Sequence, residues 1–118
     1  MIPILKEPVW NELSNCLERF PISMTAKQLE EYLLKLKIIK DLSDLSSNIY
    51  NRNIQTENRY DRYTDLDYYV PFISDICIKI IGEYIYKEID LVHMYEGNEL
   101  GLYTDEEVEN YKSKNKLL

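Results

Sequence analysis

A chain of 118 residues, 45% hydrophobic and 30% charged, can bury one core but not two and is too apolar to remain disordered. Fourteen basic against 21 acidic side chains give a net charge of −7, which disfavours direct nucleic-acid binding, since that needs Lys and Arg to neutralise phosphates. With 3 Gly and 4 Pro the chain lacks the turn chemistry of a many-stranded sandwich or barrel. The expected fold class is all-α: one domain over residues 1–118, a bundle of four to five helices around a long central helix at about 66–94.

Pro3, Lys6, Glu7 and Pro8 interrupt any secretory leader, and a cytoplasmic location is expected. From Pro8, the spacing of Val9, Trp10, Leu13, Cys16, Leu17 and Phe20 predicts a first helix, which Pro21 stops. Thr25 and Gln28 have capping-box spacing and open a second helix over 26–39, with Leu29, Tyr32, Leu33, Leu36 and Ile39 as its apolar stripe. A short helix is expected at 42–53, although Ser, Asn and Asp there compete with the backbone for hydrogen bonds. Gln55 to Asp67 has no apolar period and is expected to be an exposed connection.

The central helix rests on Tyr69, Phe72, Ile73, Ile76, Cys77, Ile80, Ile81, Tyr84, Ile85 and Ile89. Asp75, Lys79, Glu83 and Lys87 line its opposite side and exclude a membrane span. Gly97 is the expected stop. Thr104 and Glu107 repeat the capping-box spacing, with Asp105 and Glu106 in the first turn of a last helix to about Ser113, and 114–118 should fray.

Catalytic chemistry finds few materials. His93 is the single histidine, and Cys16 and Cys77 are two separated thiols that read as small core hydrophobes. These cannot supply the four nitrogen or sulfur ligands of structural zinc, and the acids at 61, 65 and 67 lack the glycine and closing glutamate of a calcium loop. Three glycines cannot write a phosphate loop or dinucleotide fingerprint. No enzyme activity, cofactor or metal is expected.

The charge is not evenly spread. Residues 1–59 hold eight basic and eight acidic side chains, whereas 60–118 hold six and thirteen, together with nine of the 11 tyrosines. Tyr69 and Tyr84 fall on the apolar face; Tyr60, Tyr63, Tyr95 and Tyr103 lie beside acids in predicted links. An acidic, tyrosine-rich surface suits a basic protein partner, because complementary charge speeds encounter and tyrosine offers rigid contact area. The expected contact surface is Asp61, Tyr63, Asp65, Asp67, Tyr95, Glu96, Glu99, Tyr103, Asp105 and Glu106.

In size, acidity, expected helicity and lack of catalytic residues the chain resembles the small bacterial immunity proteins that neutralise nuclease toxins in colicin or contact-dependent inhibition systems. The resemblance is one of profile and transfers no motif. It implies one-to-one binding to a toxin nuclease domain whose basic cleft is blocked by carboxylates and aromatics. A phage-encoded mimic of nucleic acid that blocks a host defence nuclease would use the same physics. A small structural or regulatory subunit sharing the apolar helix 66–89 with another chain is the third reading.

Overall fold

The computed structural model describes residues 7–117. Among them are three α-helices and a three-stranded antiparallel sheet of order β1-β3-β2, so the chain is mixed α/β and the expected all-α bundle is overturned. The backbone divides into two compact units, one ending at Ile81 and the other starting at Gly82.

The first unit contains the sheet. β1 (Trp10–Glu12) replaces the first turn of the helix expected from Pro8, and two 3-10 turns, Leu13–Asn15 and Leu17–Arg19, replace the rest. The cause is long-range: Trp10, Asn11 and Glu12 pair with Ser74, Ile73 and Phe72 of β3. The apolar spacing is still used, with Leu13, Cys16 and Phe20 buried on the irregular segment.

α1 (Ala26–Lys35) forms as expected but is shorter. Gln28 N–H donates to Thr25 Oγ1 at 3.1 Å, and Thr25 N–H donates to Gln28 Oε1 at 2.9 Å. Lys37 adopts a left-handed conformation, and Ile38 and Lys37 amides bond back to Leu33 and Leu34 carbonyls, ending the helix in a Schellman motif. Ile39, expected inside the helix, is buried beyond it.

The helix expected at 42–53 contracts to a 3-10 turn, Leu42–Ser46, capped by Asp41 and burying Leu45. Asn51 Oδ1 then accepts from the amides of Asn53 and Ile54, the side-chain competition that ends a helix.

β2 (Ile54–Asp61) and β3 (Leu66–Ser74) form a hairpin in register from Ile54↔Ile73 to Asp61↔Leu66. Two expectations fail here: 55–67 is not an open connection, and 66–74 is not helical. Only the hairpin base is buried, at Ile54, Ile73 and Ser74, and from Glu57 outward neither face is. With both faces wet there is no apolar alternation for the sequence to display.

α2 (Asp75–Glu99) follows β3 with no intervening residue. Ser74 makes this possible, because its Oγ accepts from Cys77 N–H at 3.1 Å and caps the helix from the last strand position. The buried apolar side chains are Cys77, Ile78, Ile81, Tyr84, Ile85 and Leu91; Ile80, expected in the core, is exposed. None of the described helices is long and apolar enough to cross a membrane.

In the second unit α2 turns into α3 (Asp105–Asn115), which the Thr104–Glu107 capping box opens as expected. Gly97 does not stop α2. The helix ends two residues later with Gly101 at φ 78°, while Leu102 and Gly101 amides bond to Gly97 and Asn98 carbonyls at 2.8 and 3.0 Å. α3 runs on through Lys114, closes with left-handed Lys116 and is followed by buried Leu117. Leu118 lies outside the described residues.

Candidate functional site

The expected contact residues fall into two groups, one in each unit. Asp61, Tyr63, Asp65 and Asp67 gather at the hairpin tip, where residues 62–65 connect the strands. Asp61 Oδ1 accepts from Tyr63 N–H at 2.9 Å, and Asp65 adopts φ 58°, a left-handed position that Asp tolerates. The Tyr60 hydroxyl donates to Asp65 Oδ1, tying strand to loop and raising the Tyr60 pKa through that bond first. Two of the three carboxylates therefore build the turn as well as charge it.

Cross-strand pairs share a face, so the tip has two different sides. Asp67 stands opposite Tyr60 on one, next to Asn58↔Tyr69. Asp61 stands opposite Leu66 on the other, next to Arg59↔Tyr68. Tyr63, in the loop, is 93% exposed. Arg59 donates to Glu57 Oε2 at 3.1 Å, a bond that raises its pKa, and its guanidinium lies 5.8 Å from the Phe72 ring centre.

Tyr95, Glu96, Glu99, Tyr103, Asp105 and Glu106 gather at the α2–α3 turn. Asn98 Nδ2 donates to Tyr103 O at 2.8 Å and to Asp105 Oδ1 at 2.9 Å, bridging the two helix ends. Tyr103 lays its ring against Gly97, where a Cβ would come within 2.6 Å of Cδ2. Tyr95 lies under Lys112, whose ammonium is 6.0 Å from the ring centre. From Gly82 onward nine acidic side chains face four basic ones, so this unit carries −5 of the net −7.

Some of what matters here was not among the expected residues. Arg59 and Arg62 interleave the tip's acids, and Leu66 and Tyr68 expose apolar area on the Asp61 side. Leu100 and Leu102 are exposed beside the acidic turn. The available signal for the first group was the run of Arg, Tyr and Asp on either side of the tip, which becomes a surface only once the strands pair.

His93 is exposed on α2, and among the described residues there is no group of three or more His, Cys, Asp or Glu that could hold a metal ion. Cys16 and Cys77 are free and buried. Burial raises both thiols, Cys77 to about 12 with a further push from Cys16, so neither is a ready nucleophile. An open depression of about 400 Å³ lined by Glu7, Pro8, Trp10, Tyr50, Asn51 and Arg52 holds no acid–base pair with a nucleophile.

Compared with models of protein families, with curated proteins and with solved structures, the chain matches none.

Proposed function

We propose that this protein acts by binding, as an inhibitor that docks carboxylates and tyrosines onto a basic protein and blocks its substrate cleft, in the manner of an immunity protein facing a toxin nuclease. The observation that carries the reading is the hairpin tip, where Tyr63 stands free in solvent among Asp61, Asp65 and Asp67 on an arm exposed on both faces. Such an arm offers side chains to a cleft without disturbing a core, and tyrosine provides contact area at low entropic cost. The acidic α2–α3 turn adds the long-range field that steers a basic partner. Under this reading the protein works in the cytoplasm, where both thiols stay reduced.

The test is a pull-down from source lysate with wild type and an Asp65→Asn/Asp67→Asn/Glu96→Gln/Glu99→Gln variant as baits. Asn and Gln remove charge while keeping side-chain shape, and Asn also tolerates the left-handed conformation at 65. Expected is one basic protein held by wild type at low salt, released at high salt and lost from the variant. Equal retention by both baits would refute the charge-led reading.

A further inference from the structure

The two edges of the hairpin are not equivalent. Backbone direction alternates along a strand, so a few hydrogen bonds fix which residues face which side. Thr56 N–H donates to Ile49 O at 3.0 Å and Asn51 N–H to Ile54 O at 2.9 Å, both on the side of β2 away from β3. Asn58 and Tyr60 therefore also turn N–H and C=O outward, and among the described residues neither has a backbone partner there. On β3 the pattern is set by Ser74 N–H, which donates toward β2 at Asn53 O, and by Asp75 N–H, which donates toward β1 at Val9 O. Odd-numbered residues of β3 thus face the β1 side, and just past the end of β1 that side meets Pro71, which has no N–H to offer. Pro71 interrupts the edge of β3 between Ile73 and Tyr69, whereas the edge of β2 runs from Asn58 to Tyr60 without a proline.

We propose that the open edge of β2 is filled by β2 of a second copy of this chain, antiparallel about a two-fold axis at Tyr60. Charge complementarity selects this occupant. In that register Arg59 of each copy stands opposite Asp61 of the other, so the run Arg59, Tyr60, Asp61 is its own electrostatic complement read in reverse. Tyr60 meets its own copy through two N–H···O=C bonds. A two-fold axis at Asn58 is excluded, because it would bring the incoming strand onto the Thr56 amide already held by Ile49. This inference does not depend on the inhibitor role.

The experiment is sedimentation equilibrium of the full chain from micromolar to millimolar concentration. Wild type should rise from 14.1 kDa to twice that mass. Arg59→Glu and Asp61→Lys should each stay at the single mass, since each places like charges opposite one another. Mixed in equal amounts they should restore the doubled mass, because the introduced acid then faces the introduced base while native Arg59 faces native Asp61. That recovery also reports that both variants fold. Tyr60→Pro removes an amide that β3 does not use and should abolish the dimer with the hairpin retained. A wild type that stays at the single mass, a dimer indifferent to Tyr60→Pro or to either charge variant, or a mixture that fails to dimerise overturns the proposal.

Discussion

Ser74 Oγ accepts the Cys77 amide at 3.1 Å while Ser74 itself pairs with Trp10 in the sheet, so one fully buried residue both ends β3 and caps α2. Removing the hydroxyl leaves a buried amide without its acceptor. Ser74→Ala should lower stability by about 1–2 kcal/mol, within the range for lost N-caps, read from urea unfolding. Ser74→Thr keeps the oxygen but must house a methyl in a site with no exposure, and should recover only part of the loss.

Gly97 lies inside α2, where alanine would ordinarily add about 1 kcal/mol of helix propensity. Here the added Cβ would press on the Tyr103 ring at 2.6 Å. Gly97→Ala should therefore destabilise the wild type by about 1 kcal/mol or more. In a Tyr103→Ala background the same substitution should become stabilising. A double-mutant cycle with thermal unfolding checks this, and additive effects would show that the ring is not the obstacle.

Lys37 and Lys116 hold the left-handed positions that end α1 and α3, where glycine carries no Cβ penalty; Gly101 fills the same role after α2. Lys37→Gly and Lys116→Gly should each raise stability by about 0.5–1 kcal/mol, the relief of strain less the greater entropy of an unfolded glycine. Gly101→Lys should cost a similar amount. Chemical denaturation of the three single variants measures all of them.

Alkaline pH should weaken the first unit through its thiols. Burial raises Cys77 from 9.0 to about 12, so the folded state prefers the protonated thiol. That stabilisation is fully present below pH 9 and is lost as pH rises through 9 toward 12. The denaturation midpoint should fall over this window, and more shallowly in Cys77→Ala, even though the variant starts lower at neutral pH. A thiol reagent should label neither Cys16 nor Cys77 until the chain unfolds.

What was legible in the sequence was local. Thr25 with Gln28 and Thr104 with Glu107 specify their capping boxes because the partners lie three residues apart. The thiols were legible as core, and the apolar run from Ile76 to Ile89 as helix, although its buried side includes Ile78 rather than Ile80 and extends to Leu91. Of the contact surface, the tip and turn residues are solvent-exposed or partly so, as their polarity foretold, while the bonds that Asp61 and Asp65 make within the hairpin loop were not legible.

By itself the sequence determined two helix starts that close on neighbours three residues away, much of the core and the acidic character of the second unit. Only the tertiary structure decided that Trp10–Glu12, Ile54–Asp61 and Leu66–Ser74 are strands. For the first strand the physical reason is distance along the chain: Trp10 finds its partner at Ser74, and three residues with so remote a partner are too few to show a strand period. The hairpin arm, wet on both faces, had no apolar alternation to announce it, and β3 hid inside a helical pattern because Ser74 joins strand to helix without a break.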